Sequence, residues 1–146
     1  MASYNDISMF ELGLRSLCIL VYFAKEELTL DDIVDLDYRI TNGSTFDLPC
    51  GNLNGCSKFK MSELAARRER TKKALAGFSS RGYIKCIASK KGIAFLPTDR
   101  GIDLESCLHG DYVESYITNL KSINAMDVCS AFDFGSIVNT ELEGEL

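Results

Sequence analysis

The segment from about Ser8 to Lys25 constrains this chain most. Phe10, Leu14, Leu17, Cys18 and Val21 recur at spacings of three and four, the period of a buried helical face. Ile19, Leu20, Tyr22 and Phe23 widen that stripe until the second half is apolar almost all round. A helix of this kind sits at the centre of a core and needs other elements on several sides. The strongly apolar run from Leu17 to Ala24 is eight residues long, whereas about 20 are needed to span a bilayer. The opening MASYNDISMFELGLR has no basic stretch followed by a cleavable apolar one, so no signal peptide is expected. The expectation is a soluble, cytoplasmic domain that makes no membrane contact.

The partners of this helix follow in order. Thr29 is a helix N-cap, with Asp31 and Asp32 in the first turn, where carboxylates favour the positive helix end. The helix it starts ends near Thr41-Asn42-Gly43. Residues 43–60 lose all period and collect Gly, Asn, Ser and Pro, a long irregular loop whose middle Phe46 and Leu48 could pin. Ser62 and Glu63 start a third helix running to about Ser80, with Leu64, Thr71, Leu75 and Phe78 on one face and Arg70 and Lys73 on the exposed side. Gly82 suits the left-handed position that closes it. Tyr83–Ala88 and Ile93–Leu96 form a hairpin around Lys90-Lys91-Gly92. Pro97 ends it, and Thr98 with Asp99 caps a last helix to Ile123 that Gly110 splits. The expected fold is mostly α with a small β-hairpin: a winged helix-turn-helix over residues 1–124 with an extra C-terminal helix, followed by an acidic, aromatic-containing tail, 125–146.

Charge is segregated along the chain. The net charge is −5, yet residues 58–91 carry eleven Lys and Arg against two acids, and residues 125–146 carry five acids and no base. The basic third helix and hairpin turn are the candidate contact surface: Lys58, Lys60, Arg67, Arg70, Lys73, Lys90 and Lys91. Lysine and arginine there would neutralise phosphates and release counterions, or meet an acidic protein surface. The basic residues spread around the helix, and it lacks Asn and Gln to read bases, so base-specific reading is the weaker expectation. In the tail, Phe132, Phe134, Ile137 and Val138 form a candidate partner-binding segment.

Catalysis has little support. A Ser–His or Cys–His nucleophile needs a base, and His109 is the single histidine, in a glycine-interrupted segment. There is no GxxxxGK[ST] and no GxGxxG after a strand. The six cysteines include no CxxC pair, Cys50 and Cys56 being the nearest two, so reduced thiols are expected and no metal or other cofactor. Asp31, Asp32, Asp35 and Asp37 read as a solvated acidic helix face. The expectation is not an enzyme.

Three stretches carry a resemblance: LRSLCILVYFAKEELTLDDIVDLDYRI, FKMSELAARRERTKKALAGFSSRGYI and FLPTDRGIDLESCLHGDYVESYITNL. Together they resemble the middle component of bacterial ABC-three-component systems over residues 12–123. Within that group the chain is most similar to the small accessory subunit of Lamassu-type anti-phage and anti-plasmid defence. The landmarks are an Arg-Ser-Leu start, a Leu-Asp-Tyr ending the second helix, an Ala-Arg-Arg-Glu core and an Arg-Gly-Tyr-Ile corner. The resemblance implies a non-catalytic winged-helix subunit. It would dock on an SMC-like coiled-coil ATPase and help couple DNA sensing to a separate effector nuclease, with double-stranded DNA contacted non-specifically through the complex. The long 43–60 loop and the acidic tail depart from that pattern. The alternative reading is a stand-alone winged-helix transcription regulator acting as a homodimer.

Overall fold

The computed structural model describes residues 9–24, 26–53 and 61–126. Helix α1 (Met9–Tyr22) is followed by a two-residue strand β1 (Leu28–Thr29), α2 (Leu30–Thr41), a 3-10 turn (Gly43–Phe46) and α3 (Met61–Ser80). Strands β2 (Ile84–Ser89) and β3 (Gly92–Pro97) come next, then α4 (Asp99–Ser106) and α5 (Asp111–Met126). The architecture is mostly helical with one small three-stranded antiparallel sheet in the order β1-β3-β2.

The continuous apolar character of α1 places it at the centre. Leu17, Ile19 and Leu20 are buried together with Ile33, Leu36 and Ile40 of α2 and Leu75 and Phe78 of α3. Tyr116, Leu120 and Ile123 of α5 close the same core. The close approach of α1 to α3 depends on Gly13, because a Cβ there would collide with the Phe78 ring.

Local chemistry sets the element ends. Thr29 caps α2 in a reciprocal box: its hydroxyl accepts the Asp32 N–H at 3.3 Å, and Asp32 Oδ2 accepts the Thr29 N–H at 3.1 Å. Strand β1 ends on this same threonine, and its Leu28 and Thr29 pair with Phe95 and Ala94. This strand is too short to leave a periodic signal, and the sequence reading of a bare hairpin missed it. In the hairpin, Ser89 pairs with Gly92 and Lys90-Lys91 form the connection. The Ser89 hydroxyl ties this turn, accepting the Lys91 N–H at 3.1 Å and donating to the Gly92 carbonyl at 2.9 Å. Thr98 caps α4 through the Gly101 N–H at 3.0 Å, and the expected break at Gly110 separates α4 from α5, with φ of 118° at that glycine.

The first part of the long loop is ordered by one buried side chain. Asn119 of α5 donates to the carbonyls of Ile40 at 3.0 Å and Gly51 at 3.1 Å, and accepts the Cys50 N–H at 2.8 Å. Leu48 is buried and Phe46 packs edge-on to Tyr38. Asn42 bridges to Asn52, so 43–53 closes on itself as a compact connection. Residues 54–60 lie outside the described residues.

Candidate interaction surfaces

Three features could carry function: a buried ionic cluster, a groove above it and a cationic surface. The cluster centres on Asp37 of α2. Arg15 of α1 grips its carboxylate with two hydrogen bonds, Nε to Oδ1 at 3.0 Å and Nη2 to Oδ2 at 2.6 Å. Tyr116 Oη donates to Oδ1 at 2.6 Å, and Arg67 Nη1 reaches Oδ2 at 3.3 Å and Thr41 Oγ1 at 3.0 Å. All of these side chains are buried. Burial alone would raise the Asp37 pKa, but the charges of Arg15 and Arg67 and the hydrogen bonds from Arg15 and Tyr116 outweigh it and hold the carboxyl below its ordinary value. Burial and the same carboxylate push the Tyr116 hydroxyl well above its ordinary value. A neutral phenol donating to an ionised carboxylate between two guanidiniums is a structural lock between α1, α2, α3 and α5.

Of the four acids of α2, only Asp31 is partly solvated, at 45% side-chain exposure; the other three are not on a solvated face. Asp32, Asp35 and Asp37 are buried, for three different reasons. Asp32 closes the helix cap, Asp35 lies 3.2 Å from Arg39 of its own helix, and Asp37 meets Arg15 and Arg67. A short side chain on the inward half of a helix can be enclosed when cations from other elements reach it.

Above this cluster, residues of α1 and α5 line a groove of ≈ 380 Å³. Its walls are apolar: Phe10, Leu14 and Cys18 on one side, Leu108, Tyr112 and Val113 on the other. Arg15 and Tyr116 reach its floor, and Glu11 lines it too. Phe10 and Tyr112 are 46% and 38% exposed, which leaves large aromatic surface in contact with solvent at the groove. Burial pushes the Cys18 thiol up to about 12.

The cationic surface comes from α3 and the hairpin. Lys72, Lys73, Arg81, Lys85, Lys90 and Lys91 are exposed, and Arg70 is half-buried. Two contacts place the α3 and hairpin cations beside the N-terminus of α2. Arg68 Nε lies 2.7 Å from Asp31 Oδ1, and Lys91 Nζ lies 3.9 Å from Asp32 Oδ2. Arg67 does not belong to this surface. The third helix turns Arg67 inward, onto the same face as Thr71, Ala74 and Phe78. Its guanidinium serves Asp37 and Thr41 instead of an external anion.

The model of the ABC-three component (ABC-3C) system Middle Component 2 family matches residues 5–143. The chain belongs to that family. No curated protein and no solved structure matches this middle component. A middle component of a three-component system implies protein partners, and the exposed cationic surface is a candidate place for one. Lys58 and Lys60 of the expected contact set lie outside the described residues, as does the segment with Phe132, Phe134, Ile137 and Val138. His109 is exposed, with Nδ1 3.1 Å from the Cys107 carbonyl. Among the described residues, no group of three or more His, Cys, Asp or Glu is placed to hold a metal ion. None of their helices is long and apolar enough to cross a membrane. The groove had no signature in the middle component's sequence, because Phe10 and Leu14 read as ordinary core positions of an amphipathic helix.

Proposed function

We propose that this middle component is a non-catalytic winged-helix accessory subunit of a bacterial defence complex of the Lamassu type. It docks on an SMC-like coiled-coil ATPase and helps couple DNA sensing to a separate effector nuclease. The observation that carries the reading is the order helix, strand, helix, helix, strand, strand, with the short β1 paired to β3 and the sheet ordered β1-β3-β2. That connectivity fits a winged helix, with α3 in the recognition position and Lys90-Lys91 at the tip of the wing. The exposed lysines of α3, β2 and the hairpin support contact with an anionic surface, DNA phosphates foremost. Arg68 and Lys91 already face Asp31 and Asp32, so phosphate contact falls mainly to Lys72, Lys73, Lys85 and Lys90.

The test is co-purification of the tagged subunit from its native operon, with identification of the bound components, followed by DNA binding of the assembly across a salt series. Recovery of a coiled-coil ATPase together with a salt-dependent affinity supports the reading. A homodimer that binds one operator by itself, with no ATPase recovered, would replace it with a transcription regulator.

A further inference from the structure

We propose that the groove between α1 and α5 is a docking site for this chain's own C-terminal segment, with Phe132 and Phe134 seated on its apolar walls. The groove already exposes Phe10 and Tyr112 to solvent, and aromatic surface of that size gains from being covered by an apolar partner. The 20 residues after Met126 supply one: Phe132, Phe134, Ile137 and Val138 fall within seven positions. They begin where α5 ends, and α5 is itself a wall of the groove. Tyr112 stands about 21 Å back along that helix from Met126 at 1.5 Å per residue. Residues 127–134, extended, reach about 26 Å, enough to return to it.

A tether this short gives an effective concentration of about millimolar, which favours the chain's own groove over that of a second copy.

Native cysteines allow the test on the full-length chain. Cys129 lies three residues before Phe132, and the exposed Cys107 adjoins Leu108 of the groove wall. A short bismaleimide applied to a mixture of 15N-labelled and unlabelled protein should link Cys129 chiefly to Cys107 within one chain. Replacing both anchors (Phe132→Ser, Phe134→Ser) should lower that link by about tenfold, the equivalent of 1.4 kcal/mol. Tyr112→Ala, an exposed change on the groove wall, should lower it in the same direction. Hydrogen exchange in residues 9–18 and 108–116 should quicken in both variants. Equal linkage of Cys129 to Cys50, Cys86 and Cys107 would overturn the proposal, as would a link indifferent to the phenylalanines. Links between labelled and unlabelled chains would overturn it too, assigning the groove to a second copy instead.

Discussion

Arg15 and Asp37, 22 residues apart, are joined by two hydrogen bonds in a fully enclosed bidentate pair, at 3.0 and 2.6 Å. The pair ties the central helix to α2, and Tyr116 brings α5 onto the same carboxylate. Removing one partner of a buried ion pair strands the other charge, which typically costs about 3–5 kcal/mol. Asp37→Ala strands two guanidiniums, so it should fall at the upper end of that range in urea unfolding. Arg15→Met should destabilise more than Arg67→Met, because Arg15 supplies two of the carboxylate's hydrogen bonds and Arg67 one long one. The reverse order would mean that the weight of the cluster lies on α3.

The same carboxylate fixes the acid limb of stability. Its folded-state pKa is depressed, so the unfolded chain binds the proton first as pH falls through about 3.9, the ordinary aspartate value. The Asp37 contribution is complete above that value and is lost as pH descends towards the folded pKa. Urea midpoints measured from pH 7 to pH 3 should therefore fall steeply at the acid end, and Asp37→Asn should flatten that fall while lowering the plateau. An unchanged acid slope in the variant would place the pH dependence on other carboxylates.

Much of the fold was legible because its signals are local. The stripe of α1, the Thr29 and Thr98 caps, the Lys90-Lys91 turn and the glycine break at Gly110 each involve residues within a few positions of one another. What escaped depends on chain segments far apart in sequence. β1 exists because Leu28 and Thr29 find Phe95 and Ala94, and no two-residue strand announces itself. Asn119 looks like a neutral position of a helix until residues 40, 50 and 51 converge on it. The acids of α2 have the spacing of a solvated face, and the burial of Asp37 follows only once Arg15 and Arg67 arrive from other helices. The candidate site was partly legible: the exposed cations could be found by charge alone, whereas the groove is lined by side chains of α1 and α5, far apart in sequence.

The inward phase of α3 can be checked by a pair of substitutions. Leu75 is fully buried and Lys73 is exposed. Leu75→Ala removes core volume and should cost about 2–5 kcal/mol, while Lys73→Ala should change stability by about 0.5 kcal/mol or less. Equal shifts in melting temperature would contradict the helix orientation.

Gly101 is a second packing constraint, at the start of α4. A Cβ at this buried position would collide with the backbone carbonyl of Tyr83. That carbonyl also accepts the Thr98 N–H at 3.1 Å, so it has little room to yield. Alanine is intrinsically the better helix former by about 1 kcal/mol, and on an exposed helix Gly101→Ala would stabilise. Here overpacking should win, with a net destabilisation of about 1–3 kcal/mol. A gain in melting temperature would show that α4 sits farther from the β2 entry than the geometry states.

Charge reversal separates the hairpin from the rest of the cationic surface. Lys90 and Lys91 are exposed at the connection between β2 and β3, and Lys91 is 3.9 Å from Asp32 with its side chain 59% exposed. A pair this long and this exposed contributes little to folding, so glutamate at both positions should leave the domain folded. In the assembled complex the same change should weaken DNA association and flatten the salt dependence. Each phosphate that is no longer neutralised reduces the slope of log affinity against log salt by about 0.9, and because Lys91 faces Asp32 the hairpin pair should reduce it by about 0.9, through Lys90. Lys72→Glu with Lys73→Glu supplies the comparison on α3. If the hairpin pair alone changes the slope, the hairpin carries the phosphate contacts and the α3 face is left for a protein. If only the α3 pair does, the helix lies on the duplex and the hairpin points away from it. Intact assembly with an unchanged slope in both variants would remove DNA from this surface and leave an acidic protein partner as its occupant.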